Sequence, residues 1–94
     1  MVLYMRRKLN GVLLVLAALS NTASEEVSMF KLQELTKIRN YNTLSRAVRI
    51  LKELGLINER FEEGPPPRRL ISLTEKGRRA AEHARKLLEI VGEV

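Results

Sequence analysis

The chain contains no cysteine, which excludes disulfide bridges and thiolate metal sites. Its single histidine, His83, leaves too few nitrogen ligands for a zinc site, and its helical neighbours Arg79 and Lys86 offer no metal partner. Aromatic residues are scarce. Tyr4 and Tyr41, the only tyrosines, are too few for the stacking platform of a single-strand binder. Long apolar runs are missing too: Gly11 to Leu19 falls far short of the ~20 residues that span a bilayer. Phosphate-cradling loops, nucleophile elbows and metal-ligand clusters are absent, and the carboxylates alternate with bases along helical faces. These absences point away from an enzyme and call for neither a metal nor a cofactor. The lack of cysteine fits a reducing compartment, so the cytoplasm is the expected location.

What is present suits one small domain. The 94 residues are 45% apolar, enough for a single modest core. Because so short a chain buries proportionately little surface, a subunit interface is a natural supplement to that core. The net charge is +6, distributed as +2 over residues 1–38, +3 over 39–69 and +1 over 70–94. The excess is general but largest in the middle third. A basic protein of this size invites a polyanion, nucleic acid first and an anionic membrane second. A basic surface that serves solubility alone is the competing reading.

Arg6, Arg7 and Lys8 precede the apolar run, and Ala18-Leu19-Ser20 imitates a cleavage site, which together sketch a secretory leader. The run reads instead as a helix from about Arg6 to Leu19. Leu9, Val12, Leu13, Leu16, Ala17 and Leu19 cover much of its circumference, as in a helix buried on several sides. A loop follows, then a very short strand at Glu25 to Val27. Ser28 is suited to cap a second helix whose inward face is Phe30, Leu32, Leu35 and Ile38, stopped by the polar turn Arg39-Asn40-Tyr41. Asn42 is suited to cap a third helix ending at Gly55, with Leu44, Ala47, Val48, Leu51 and Leu54 on one stripe. Its other face carries Thr43, Ser45, Arg46, Arg49, Lys52 and Glu53.

Leu56 to Phe61 and Arg68 to Leu73 read as two strands of a hairpin across a loop whose three consecutive prolines preclude a central strand. Thr74 caps a last helix, where Ala80, Ala84, Leu87 and Val91 recur at coiled-coil-like spacing with Ala81 and Leu88 beside them. That stripe implies a helix of about 27 Å, long for the core of so small a domain. The expected fold is therefore α+β and mostly helical: three N-terminal helices, a β-hairpin wing and a long C-terminal helix. Residues 1–94 form one domain, with a core over about 6–73 and a dimerisation helix over about 74–92.

This order is that of a winged helix-turn-helix, and three segments sharpen the match. Asn42-Thr43-Leu44-Ser45-Arg46-Ala47-Val48 resembles the start of the recognition helix in MarR-like and PadR-like transcription regulators. Leu51-Lys52-Glu53-Leu54-Gly55-Leu56-Ile57 is similar to the end of that helix and the entry to the first wing strand. Leu73-Thr74-Glu75-Lys76-Gly77 is similar to the passage from wing to last helix. The resemblance covers about residues 6–91. It implies that the third helix enters the major groove of double-stranded DNA, and that the hairpin reaches the minor groove or the backbone.

Carried onto this chain, the resemblance makes Asn42, Thr43, Ser45, Arg46 and Arg49 the groove candidates, with Arg68 and Arg69 on the wing. Arginine suits guanine and asparagine suits adenine, and the helix start suits phosphate. A solvated helix face with Asn42 as a mere cap is the plainer reading of the same residues. On the wing, Glu62 and Glu63 oppose a phosphate contact, so a stiff turn with paired charges is the alternative to DNA binding. Ala80, Ala84, Leu87, Leu88 and Val91 are the expected seam of a homodimer, and packing on the chain's own first helix is compatible with that role. The function these residues predict is a small homodimeric regulator that reads a particular duplex sequence. A protein-interaction adaptor, favoured by Ile50 beside the arginines, and a chromatin-type binder of low specificity are the rivals. The sequence leaves a small-molecule effector open.

Overall fold

Every residue from Val12 to Leu19 is apolar, and the helix that contains them is wrapped by the other helices of the fold. The computed structural model describes residues 2–22 and 25–90, with side chains described from Gly11 onward. In chain order the elements are α1 (Val2–Ser20), β1 (Val27–Ser28), α2 (Met29–Thr36), α3 (Tyr41–Glu53), β2 (Ile57–Glu62), β3 (Arg68–Leu73) and α4 (Glu75–Ile90). Helix α1 packs on α2, α3 and α4. It carries Val15, Leu16 and Leu19 into a core shared with Leu32, Leu44, Val48, Leu51 and Ile71. Its close approach to α3 is made at Gly11, where even a Cβ would meet that of Ala47 at 3.4 Å. No described helix is long and apolar enough to cross a membrane.

The strands form one antiparallel sheet in the order β1-β3-β2. The short strand before α2, expected at Glu25 to Val27, is Val27–Ser28 and pairs Val27 with Ile71. This pairing turns Val27 inward and sets the phase of α2. Ser28 caps that helix as anticipated, its hydroxyl accepting from the Lys31 amide at 3.1 Å. The inward face, however, is Met29, Leu32 and Thr36 rather than Phe30, Leu32, Leu35 and Ile38. Residues two apart on a helix point to opposite sides, so burying Leu32 drives Phe30 out, to 71% exposure. Leu35 is exposed as well, whereas Ile38 packs on the core from beyond the helix end.

Helix α2 also stops earlier than the Arg39-Asn40-Tyr41 turn. The buried Thr36 hydroxyl donates to the Leu32 carbonyl at 2.7 Å and accepts from the Ile38 amide, and Lys37 takes a left-handed conformation. The Gln33 amide then fastens the turn by donating to the Ile38 and Arg39 carbonyls. Helix α3 consequently begins at Tyr41, and its cap is Asn40, not Asn42: the Asn40 Oδ1 accepts from the Thr43 amide at 3.1 Å.

The end of α3 is closed by two bonds of a Schellman motif. The Gly55 amide donates to the Lys52 carbonyl and the Leu56 amide to that of Leu51, both at 3.0 Å, with Gly55 at φ 75°. A left-handed residue here suits glycine, which has no Cβ to clash. Thr74 then ties this corner to α4. Its hydroxyl donates to the Gly55 carbonyl at 2.8 Å and accepts from the Gly77 amide at 2.9 Å, and its amide donates to the Leu56 carbonyl at 3.0 Å. The Lys76 ammonium reaches the Leu54 carbonyl. Helix α4 rests so closely on this corner that a Cβ on Gly77 would stand 1.8 Å from the Leu56 oxygen.

Gly77→Ala therefore reverses a familiar sign. Alanine inside a helix ordinarily gains about 1 kcal/mol over glycine, but here the clash should cost about 1–3 kcal/mol net. Urea denaturation reads this as a lowered midpoint at unchanged slope. A midpoint equal to or above that of the parent would mean that α4 does not sit on Leu56. Thr74→Val, which keeps the shape and removes the hydroxyl, should cost about 1–2 kcal/mol in the same assay.

Candidate nucleic-acid interface

Helix α3 is strongly two-faced because of where its aliphatic residues fall. Leu44, Ala47, Val48 and Leu51 are buried, the leucine and valine side chains contributing about 1.5–3 kcal/mol each. Leu54, expected to complete this stripe, is exposed because it follows the last helical residue as the C-cap. With the stripe inside, Asn42, Ser45, Arg46 and Arg49 line a shallow groove of about 250 Å³ on the outer face. Asn42 is free of capping because Asn40 does that work, and it lies exposed in the first turn. Thr43 is exposed but lies apart from the groove. Arg46 and Arg49 are exposed, and among the described residues their side chains have neither an ion-pair nor a hydrogen-bond partner. The Arg39 side chain, in the turn before α3, is likewise unpaired among them.

The wing arginines are placed differently. Arg68 lies directly across the hairpin from Glu62, and its Nε donates to that carboxylate at 2.9 Å. Arg69 is held in the crevice between hairpin and α3, with its side chain 22% exposed. Its Nε donates to the buried Glu59 carboxylate, and its Nη1 donates to the Tyr41 hydroxyl at 3.0 Å and the Ser45 hydroxyl at 3.1 Å. Burial alone lowers the pKa of this guanidinium, but the Tyr41 and Glu59 hydrogen bonds outweigh it, so the net shift is upward. Lys52 approaches the same Glu59 at 3.5 Å. On the opposite face of the sheet, Arg60 makes two bonds to Glu26, at 2.8 and 2.7 Å, and these hold the Glu26 carboxyl below the usual range. Every arginine of the hairpin thus has a glutamate. The stiff turn with paired charges is the arrangement found, and Arg68 and Arg69 are occupied by contacts within the chain.

Three of the chain's four aromatic residues meet where sequence spacing gives no hint of it. Phe30, Tyr41 and Phe61, with Met29, Pro66 and Pro67, line an open groove of about 740 Å³ between α2, the start of α3 and the wing. Phe61 is 69% exposed. The one linear signal is strand alternation, which sets Phe61 on the face of Ile57 and Glu59. Tyr41 joins them only because the turn brings the first residue of α3 beside Arg69.

Of the residues expected in a dimer seam, Ala84 and Leu88 are buried within the chain itself, where α4 packs along α1, and Ala80 is half-buried on the core. The α1 packing covers them because they share the Ala81 side of the helix. Leu87 stays 40% exposed, and Ile90 is 81% exposed. Val91 lies outside the described residues. His83 is exposed on the outer side of α4.

The sequence matches no protein-family model and no curated protein. Solved structures do match. BpsR of Bordetella bronchiseptica, whose DNA binding is regulated by 6-hydroxynicotinic acid, superposes with a TM-score of 0.73 at 22% identity, over 86% of this chain and 59% of that one. A MarR-family transcriptional regulator from Silicibacter pomeroyi gives 0.68 at 25% identity, over 86% and 52%. A second MarR-family regulator, from Silicibacter pomeroyi DSS, gives 0.60 at 28% identity, over 85% and 54%. The chain spans little more than half the length of these proteins. With its helices, hairpin and closing helix, the chain has the winged helix-turn-helix fold of MarR-family transcription regulators.

Proposed function

We propose that this protein binds double-stranded DNA with sequence preference, as a homodimeric transcription regulator of the cytoplasm. In this reading residues 1–94 act as one winged-helix unit, and α3 lies in the major groove. One observation carries it: Arg46 and Arg49 face outward beside Asn42 and Ser45 with no partner among the described residues, while the hairpin arginines are all neutralised within the chain. Unpaired cations on the outer face of an otherwise well-packed helix suit both phosphate neutralisation and base readout. Selection of bound duplexes from a random pool tests binding, preference and half-site symmetry together.

The homodimer would present two recognition helices to half-sites about 34–36 Å apart. Its seam would be built on the exposed ridge of α4 at Leu87 and Ile90, with Ala80 at its edge. Ala84 and Leu88 would support that ridge from beneath. The exposed aromatic groove favours a second reading, a protein-interaction adaptor, for which Phe30 and Phe61 would be the anchors. A gel shift with mixed duplex at low salt separates the two.

Arg46→Ala should weaken binding to the selected duplex about tenfold or more and relax the preference at one base pair. A loss spread evenly over all sequences would assign Arg46 to phosphate. Arg68→Ala should leave the dependence of affinity on salt unchanged, because Glu62 already neutralises that charge; a slope lowered by about one would put Arg68 on the DNA. Leu87→Asp with Ile90→Asp should yield a monomer by light scattering and weaken binding to the two-half-site duplex. A doubly substituted protein that still elutes as a dimer would move the seam elsewhere.

A further inference from the structure

Helix α3 presents its sides differently. Asn42, Arg46 and Arg49 form the outermost row, while Tyr41, Ser45 and Lys52 form the row facing the hairpin, where Arg69 and Glu59 meet them. At Tyr41 and Ser45 the partner is a guanidinium, which only donates. Both hydroxyl oxygens must therefore act as acceptors toward Arg69, at 3.0 and 3.1 Å, and their own protons point elsewhere. Among the described residues neither hydroxyl has an acceptor of its own. Tyr41 is exposed and lines the open groove of Phe30 and Phe61, one residue before Asn42, so its proton is offered to the outside at the edge of the outermost row.

We propose that the Tyr41 hydroxyl is a contact to the DNA backbone phosphate, and that Arg69 is a positioning residue that aims it without touching DNA. The inference rests on the duplex-binding reading above. Arg69 is unsuited to direct contact: it is largely buried, its charge is matched by Glu59, and its Nε and Nη1 are engaged. Tyr41 has the complementary properties. It has the length to reach past the helix, and it donates from a fixed direction. It flanks the outermost row rather than lying in it, which places it over the strand edging the groove instead of over the bases. A phosphate oxygen is the acceptor that edge presents at every sequence. Sequence reasoning passed over Tyr41 because its spacing from Arg69 carries no pattern, and it assigned Arg69 itself to the DNA.

The test is a fluorescence anisotropy titration of a labelled duplex, run in parallel on the selected sequence and on an unrelated one. Tyr41→Phe removes only the hydroxyl. It should weaken binding about tenfold on both duplexes, the loss expected for a hydrogen bond to a charged group. The salt slope should not change, since no charge is removed. The pair Glu59→Gln with Arg69→Met keeps the local net charge and removes the aim. In that background Tyr41→Phe should cost less than about twofold, because the two substitutions act on one contact. Thermal melting of each variant checks that it is folded, and Tyr41→Phe alone decides if the pair does not fold. Parental affinity in Tyr41→Phe overturns the proposal, as does its full effect persisting without Arg69. A salt slope lowered by about one in the paired variant overturns the positioning role and assigns Arg69 to phosphate directly. If the parent binds no duplex even at low salt, the DNA reading falls and takes this inference with it; if the parent binds and Tyr41→Phe is its equal, only the inference falls.

Discussion

The corner at Gly55 and Leu56 is the constraint on which the rest of the molecule depends. Three elements end or begin there: α3 closes through the bonds to Lys52 and Leu51, β2 departs from Leu56, and α4 starts against the Leu56 carbonyl. Thr74 binds the three with one amide and one hydroxyl, the latter used both as donor and as acceptor. Because Gly77 has no side chain, the backbone of α4 lies directly on that of the corner, and the angle between recognition helix and closing helix is set by backbone contact. Side chains that repack readily would not hold it so firmly. The same corner thereby fixes where the outward face of α3 points.

Charge is sorted by the fold more sharply than its overall excess suggests. The hairpin brings Glu62 opposite Arg68, and Glu59 against Arg69, while Glu26 reaches Arg60 from just before β1. These pairs are partly exposed and contribute little stability individually. Their consequence is electrostatic: they cancel the wing, and Arg39, Arg46 and Arg49 around α3 are left unmatched among the described residues. The +3 charge of residues 39–69 is thus concentrated at one helix instead of being spread along a basic wing.

Much of this was legible in the chain. Ser28 and Thr74 cap helices where their hydroxyls suggested, β3 spans Arg68–Leu73 as read, and the α3 stripe is buried from Leu44 to Leu51. Two expectations were corrected by contacts outside the segment concerned. Asn40 and Asn42 are chemically equal caps, and only the left-handed Lys37 and the Gln33 bonds decide that the helix starts early enough to use the first. Phe30 and Leu35 looked inward as bulky apolar residues, yet β1 pairing rotates α2 so that Met29 and Thr36 take their place. At α2 a strand distant in the sequence broke the tie, whereas at the start of α3 it was broken by the cap and side-chain bonds of the preceding turn.

The sequence by itself determined the order of elements, the buried edge of α3 and the basic character of its outer face, because helical and strand periods, caps and turn residues act over a few neighbours. Tertiary structure alone decided which cations remain unpaired and which residues share a site. Arg69 meets Tyr41 and Ser45, and Phe61 lines one groove with Phe30, across separations that no period encodes. Whether an arginine serves a ligand or its own chain depends on which carboxylate the fold carries to it, and that is known only once the hairpin lies against the helix.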